Sequence, residues 1–319
     1  MQPRLPASPT SATPTSAAQR QTVSYLQRRL AEVGIRPKTK YGQNFLVDLN
    51  LLELLANSAG VEPADVVLEV GTGTASLTEQ LAERAVHVVT CEVDSQMFVL
   101  ASERLGNRDN VTIVRNDILH NKNRLNPDVL AVVREHVSRH RDGRFRLVAN
   151  LPYNVATPII SNLLLADDLV PASMTVTIQK ELADRIVARP STKDYNSLSV
   201  WMQCQCDIEI VRVMPPSVFW PRPKVHSAIV SIVVNPEKRA AIPDLGYFHA
   251  FTRAIFFHRR KFLRSELLSA FKRRLDKPAV DQLMAETAIG PQARAEELDV
   301  ATILRLCENT RVRVGDLRL

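Results

Sequence analysis

The sequence predicts an α/β fold, a mostly parallel sheet interleaved with helices, followed by a smaller all-helical unit. Three observations predict it. From Pro63 onward, short β-rich apolar runs alternate with segments of helical period, the signature of βαβ units. Glycines fall at the turn between the first such strand and its helix, and acidic residues close the next two strands. Beyond Pro236 the strand signal fades and the chain becomes basic and helix-like.

The elements follow in order. V-V-L-E-V (66–70) reads as the first strand and S-L-T-E-Q-L-A-E-R as the first helix. A-V-H-V-V-T-C-E reads as the second strand, S-Q-M-F-V-L-A-S-E-R-L as the second helix and N-V-T-I-V-R-N-D as the third strand. Residues 120–144 are polar and basic, with one helical patch at Val129 to Val137, and read as an excursion outside the sheet. R-F-R-L-V-A resumes as a fourth strand and delivers N-L-P-Y to its carboxyl end. A helix, a strand at S-M-T-V-T-I-Q and the helix K-E-L-A-D-R-I-V-A-R-P come next. In the last third, residues 251–275 carry an apolar stripe and read as helical.

Composition sets the frame for these elements. With 319 residues, 45% of them hydrophobic, the chain has material for one large or two ordinary units, and a division into 36–236 and 237–319 fits the change of character. The first 30 residues are rich in Pro, Ser and Thr and contain no acid, so residues 1–35 read as a disordered arm. An organelle transit peptide shares that bias, but the prolines spoil an amphipathic helix. No apolar run reaches the ~20 residues of a membrane-spanning helix, so a soluble, cytoplasmic protein is expected. Cys91, Cys204, Cys206 and Cys307 fit neither a zinc site nor a disulfide framework, and the seven histidines, His87, His226 and His258 among them, show no ligand spacing; no metal is expected.

The formal charge of +7 favours a polyanionic partner. Residues 253–274 concentrate it: Arg253, Arg259, Arg260, Lys261, Arg264, Lys272, Arg273 and Arg274 stand against the single acid Glu266, which points to contact with a phosphate backbone.

E-V-G-T-G-T-A-S-L-T (69–78) places Gly71 and Gly73 where the lack of a Cβ lets backbone approach a nucleotide-like ligand. Ser76 stands in the place of the third glycine of a dinucleotide fingerprint, which argues against a pyrophosphate and an NAD-dependent oxidoreductase. Glu92 ends the second strand at the offset suited to ribose hydroxyls, and Asp117 closes the third on the same edge.

Asn150, Leu151, Pro152 and Tyr153 end the fourth strand beside this pocket. Pro152 biases Leu151 toward extended backbone, so the Asn150 carboxamide oxygen and a nearby carbonyl become two acceptors aimed at one spot. Two adjacent acceptors suit an NH2 group, whose lone pair they free by favouring pyramidal nitrogen. The Tyr153 ring offers a face for a heterocycle, a contact of about 1–3 kcal/mol per base.

E-V-G-T-G with N-L-P-Y resembles the S-adenosylmethionine-dependent methyltransferases that act on adenine N6. K-Y-G-Q-N-F-L-V-D (40–48), V-T-I-Q-K-E-L-A-D-R (176–185), F-W-P-R-P-K-V-H-S-A-I-V (219–230) and F-F-H-R-R-K-F-L (256–263) resemble, more closely, the KsgA family of ribosomal RNA adenine dimethyltransferases. The resemblance implies a Rossmann-like class I methyltransferase domain with a seven-stranded sheet over 36–236 and an RNA-binding helical domain over 237–319. It implies that Asn44, Leu46, Gly71, Gly73, Glu92, Asp117 and Asn150 line the S-adenosylmethionine pocket, where S-adenosylhomocysteine is left as product. It further implies that Phe219 forms a second aromatic wall opposite Tyr153, and that Arg259, Arg260, Lys261 and Arg264 grip RNA. Ala75 stands where the family has a third glycine, Asn196 replaces a usual glycine, and His226 a usual acid.

The implied activity is dimethylation of two adjacent adenosines near the 3′ end of small-subunit ribosomal RNA, by a monomer acting on the assembling small subunit. Two alternatives stay open here. One is an Erm-like enzyme acting on the large subunit, and the other a non-catalytic RNA-binding or transcription-accessory relative.

Overall fold

The structure is a computed structural model and describes residues 23–32, 34, 42–166, 168–272 and 274–315. Helix α1 (Val23–Glu32) precedes a two-residue strand β1 (Phe45–Leu46) and helix α2 (Leu49–Ser58). Then come β2 (Val66–Val70), α3 (Ser76–Ala82), β3 (His87–Cys91), α4 (Ser95–Leu105) and β4 (Val111–Val114). A hairpin, β5 (Leu119–Asn121) and β6 (Arg124–Leu125), leads to α5 (Pro127–Arg139), β7 (Phe145–Asn150), α6 (Ala156–Leu165), β8 (Ser173–Gln179) and α7 (Lys180–Ile186). Helix α8 (Ser197–Gln203), β9 (Cys206–Met214), β10 (Phe219–Trp220) and β11 (Ser227–Val234) follow. The remaining long elements are the helices α9 (Pro236–Ala240), α10 (Leu245–Ile255), α11 (Leu263–Ala270), α12 (Lys277–Glu286) and α13 (Val300–Val314).

Seven strands form one sheet in the order β4-β3-β2-β7-β8-β11-β9. Strands β4, β3, β2, β7 and β8 pair in parallel, and β11 runs antiparallel to both its neighbours. The residues explain this. β2 and β3 are buried at every position, as a parallel strand covered on both faces must be. Sequence order reverses around β2: the chain builds outward through β3 and β4, then returns to lay β7 on the other side. A crevice opens at the carboxyl ends of strands where order reverses in this way.

A buried ion pair pins the opposite end of the sheet. Arg146 in β7 meets Asp65, just before β2, at 2.5 Å, and its guanidinium also donates to the Ala59 carbonyl and Ser173 Oγ. Burial opposes a charge on Asp65, yet the N–H groups of Glu62 and Arg144 together with Arg146 hold its carboxyl below the usual range. Strands β2 and β7, which carry the crevice, are thereby fixed relative to each other.

Some sequence expectations need correction. The 120–144 stretch is an excursion only at its start, where the β5–β6 hairpin forms a separate two-stranded sheet. The helical patch expected at Val129 to Val137 is α5, which buries Val129, Leu130, Val133 and His136 and packs on β2 and β3 as a βαβ crossover. Exposed basic residues around its apolar stripe obscured that role. The helical stretch 251–275 is two helices, with a turn between Ile255 and Leu263 where the Leu263 N–H is taken by the Ala293 carbonyl. The arm expected to end at residue 35 includes α1, whose Leu26 and Leu30 are buried; residues 1–22 lie outside the described residues. Strands β9 and β11, which complete the sheet, were not singled out by residue pattern. No helix among the described residues is long and apolar enough to cross a membrane.

The edge of β3 holds an unusual histidine stack. His87 and His136 lie ring on ring at 3.6 Å with 12° between planes, and His140 follows at 6.4 Å from His87. Burial, then the charges of His136, His140 and Arg139, push His87 down to about 4. Because the folded protein releases this proton more readily than the unfolded chain, His87 contributes stability above its ordinary value of 6.5 that is lost as pH falls toward about 4. Urea titrations should show the stability difference between wild type and His87→Gln rising from pH 4 to 6.5 and flat above; a difference independent of pH contradicts this.

Candidate nucleotide cleft

Each wall of the crevice comes from a different element, and the glycine turn forms its floor. Between β2 and α3 the backbone takes left-handed φ values at Gly71 (83°), Gly73 (54°) and Ala75 (63°). A side chain on Gly73 would meet the Phe45 ring at 3.2 Å, so glycine at this left-handed position lets the β1 segment close over the turn without displacing that ring. Ala75 fills the third position in the same conformation, with its methyl fully buried against Ala101 and Leu105.

A polar network beneath the turn holds this loop. Thr78 Oγ1 donates to Glu69 Oε2 at 2.6 Å, Thr90 bonds the same carboxyl, and Thr72 and Thr90 hydroxyls meet at 2.6 Å. Burial drives the Glu69 carboxyl up to about 8, so it carries its proton at neutral pH. Arg104 of α4 ties the loop from outside, donating to the Thr74 carbonyl at 3.0 Å and pairing with Glu79. Glu69 was legible only as a strand residue, because nothing in V-V-L-E-V announces that its carboxyl turns under the glycines.

Glu92 follows β3 directly. Its Oε2 accepts from the Gly73 N–H at 3.0 Å and its Oε1 from the Asp94 N–H at 2.9 Å. Burial raises its carboxyl above the usual value against these two donors. The Val93 N–H is a further backbone donor to this carboxylate, and the side chain lines the cleft. Asp117 lines it too, with Oδ1 accepting from the Leu119 N–H at 2.8 Å.

At the end of β7, Asn150 Nδ2 donates to the Asn44 carbonyl at 2.8 Å. That bond settles the amide: nitrogen faces the β1 segment, and Oδ1 takes no hydrogen bond from a described residue. The Pro152 carbonyl is already occupied by the Val155 N–H. The Leu151 carbonyl, by contrast, accepts no hydrogen bond from a described residue. Tyr153 is fixed through its hydroxyl, 2.5 Å from Ser227 Oγ, and burial raises its phenol above the usual value.

The cleft so formed is about 290 Å³. Of the residues singled out from sequence, Asn44, Gly71, Gly73, Glu92, Asp117, Asn150, Leu151 and Pro152 line it together. Gln43, Phe45, Asn116 and Asn154 line it as well and were not singled out. Three singled-out residues, Leu46, Phe219 and Tyr153, do not line it, and one ladder explains the first two. β1 pairs with β10 so that Leu46 faces Phe219, and both turn into an apolar cluster with Leu52 and Ile229. Phe219 is only 2% exposed. Alternation along the strand sends Phe45 the other way, where it stacks with Trp220 at 6.3 Å. Tyr153 flanks the cleft without lining it, so the slot expected between Tyr153 and Phe219 is not open in this structure.

The four cations singled out for RNA also separate. Arg259 donates to the Lys193 carbonyl and pairs with Glu296 at 3.6 Å, and Arg264 pairs with Asp281 at 2.5 Å. Arg260 and Lys261 sit exposed in the turn before α11, without an ion pair to a described residue. Arg273 lies outside the described residues. Among the described residues no group of three or more His, Cys, Asp or Glu is arranged to hold a metal ion.

Two solved structures share this fold. The dimethyladenosine transferase from Plasmodium falciparum superposes with a TM-score of 0.69 at 21% identity, covering 83% of this chain and 97% of that one. The 23S rRNA methyltransferase ErmE does so with a TM-score of 0.59 at 25% identity, covering 83% and 98%. Sheet order, glycine turn and cleft therefore define a Rossmann-like methyltransferase. A family model described as ribosomal RNA adenine dimethylase matches residues 34–311. The chain belongs to the ribosomal RNA adenine dimethylase family. The ribosomal RNA small subunit methyltransferase A of Lactiplantibacillus plantarum is 38% identical over 276 residues, 86% of this chain and 90% of its own. That of Caldanaerobacter subterraneus is 39% identical over 268 residues, 83% and 94%.

The neutral Glu69 has a measurable consequence. Its folded-state proton is held up to about 8, against an ordinary 4.5, so its contribution to stability is present at low pH and lost as pH rises toward about 8. The stability difference between wild type and Glu69→Gln should therefore fall from pH 4.5 to 8 and flatten above. A difference unchanged across that window would mean that Glu69 is ionised in the fold.

Proposed function

We propose that the protein transfers methyl groups from S-adenosylmethionine to N6 of two adjacent adenosines in a hairpin loop near the 3′ end of small-subunit ribosomal RNA. The observation that carries this is the Asn150 amide, locked by Asn44 with its oxygen left open beside the glycine-turn cleft. The curated small-subunit relatives, at 38–39% identity, support the choice of subunit over the large-subunit reading that ErmE represents.

The residues divide the work. Glu92 takes the ribose hydroxyls, Asp117 lies where the cofactor adenine ends, and Asn44 with the Gly71 and Gly73 turn borders the rest. When bound, S-adenosylmethionine supplies a methyl carbon on a positively charged sulfur, which leaves as a neutral thioether. Asn150 Oδ1 and the Leu151 carbonyl accept from the two N6 hydrogens, hold the target nitrogen pyramidal and set it in line with that carbon. Such positioning supplies about 7–11 kcal/mol of the barrier. Once N6 carries the charge its proton leaves readily to water, so no strong base is required. Tyr153 stacks on the base. Phe219 completes the slot only if the β10 segment moves, since its ring is buried as the chain stands.

Arg260, Lys261, Arg259 and Arg264, on or beside the turn between α10 and α11, engage phosphates, with the first two available at no cost in broken ion pairs. The reading takes residues 237–319 as the RNA-gripping domain, and the protein as a cytoplasmic monomer without a metal.

Incubation with tritiated S-adenosylmethionine and under-methylated small or large subunits, followed by mapping of the label, tests this. Label should appear on adjacent small-subunit adenosines as dimethyladenosine, and label confined to the large subunit would refute the substrate. Asn150→Ala should lose at least about a hundredfold in turnover, the scale of losing one preorganised polar group at a reacting centre, while S-adenosylhomocysteine affinity changes by less than about tenfold. An active variant would remove Asn150 from the chemistry.

A further inference from the structure

A second groove opens beside the cleft, and we propose that it seats the nucleotide adjoining the target adenosine, so that the RNA strand leaves the cleft past Asn154 and Val155. The inference rests on the function proposed above and adds a subsite to it. The two cavities share Asn154 and Val155 as a common wall. A strand whose base occupies one can therefore pass its sugar and phosphate over this wall into the other.

The groove has the size and chemistry for that role. It measures about 660 Å³ and lies between the β5–β6 turn, α6, α8 and α10. Its lining contains Lys122 and Arg253 and not one carboxylate. Neither cation has an ion pair with a described residue, unlike Arg259 and Arg264, which are held by Glu296 and Asp281. Unneutralised cations in a carboxylate-free groove suit a phosphodiester. Asn123, Asn154 and Asn162 add amides that donate or accept, as ribose hydroxyls and base edges require.

The turn bearing Lys122 is not loose. Its backbone carbonyl accepts from Asn162 Nδ2 at 3.3 Å, which fixes the hairpin to α6. Part of the groove wall is aromatic: Trp201 and His249 pack with ring centres 4.6 Å apart. The Trp201 indole N–H finds no acceptor among the described residues, although the side chain is 1% exposed. Burial, then Arg253, pushes His249 down to about 4, so it adds a polar edge without charge at neutral pH. An acidic protein segment would satisfy the cations, but the wall that the groove shares with the cleft at Asn154 and Val155 favours a nucleic acid strand.

The test uses the full chain and a hairpin RNA substrate in which single phosphates near the target adenosine are replaced, one at a time, by neutral methylphosphonates. Lys122 and Arg253 are both exposed, so Lys122→Ser, Arg253→Ser and the double variant should fold. The double variant should raise KM for RNA about tenfold and lower the salt slope of RNA binding by about 2, one per phosphate contact, with S-adenosylhomocysteine affinity within twofold of wild type. At one linkage within two nucleotides of the target, the methylphosphonate should weaken wild type but not the double variant. If wild type methylates the hairpin and no linkage shows that coupling, the groove does not hold the strand and the subsite is overturned. If wild type transfers no methyl to adenosine in any RNA tested, the proposed function fails first, and the subsite with it.

Discussion

One hydrogen bond organises the site: Asn150 Nδ2 to the Asn44 carbonyl, 2.8 Å long and joining segments 106 residues apart. Its net worth in stability is about 1 kcal/mol, as for any such bond. Its structural consequence is larger. A free carboxamide can present either end to a ligand; this one is turned so that its oxygen is left for the cleft. The same bond ties the β1 segment across the glycine turn, where Phe45 lies against the bare Gly73. Lose the bond and both the lid over the cofactor cleft and the polarity of the amide become undefined.

The remaining electrostatics suit a reaction driven by positioning. Glu69, buried below the turn, is neutral and serves as scaffold, whereas Glu92 is held by the backbone N–H groups of Gly73, Val93 and Asp94 at the cleft wall. Two carboxyls of one type thus take different roles because one lies wholly in the interior and the other at the cleft wall. The histidine stack on β3 and the Arg146–Asp65 pair fix β2, β3 and β7 from beyond the cleft, so the strand ends meet at one place. Precision at the acceptor pair is inherited from the sheet.

Much of this was legible in the sequence, and the failures have physical causes. Strands β2, β3, β7 and β8 announce themselves because both faces are buried and apolar runs result. Glycine turn, acid at a strand end and amide motif could be placed because strand order brings their ends together. The helical patch of α5 was legible, but its place as a crossover packed on the sheet was not, since exposed basic side chains surround its apolar stripe. Edge strand β9 alternates and carries charge, so it stayed hidden. The long helical reading past residue 250 failed because one apolar stripe serves equally for one helix or two folded together. Burial of Leu46 and Phe219 depends on a two-residue ladder between β1 and β10, a pairing across the whole domain that no local pattern encodes.

The most direct measurement is a crystal structure of the protein with S-adenosylhomocysteine and adenosine bound. The account predicts the adenosine N6 within about 3 Å of both Asn150 Oδ1 and the Leu151 carbonyl, with the Asn150–Asn44 bond intact and Glu92 on the cofactor ribose. An adenosine whose N6 lies elsewhere, or an Asn150 amide released from Asn44 and donating to the ligand through its nitrogen, would contradict it.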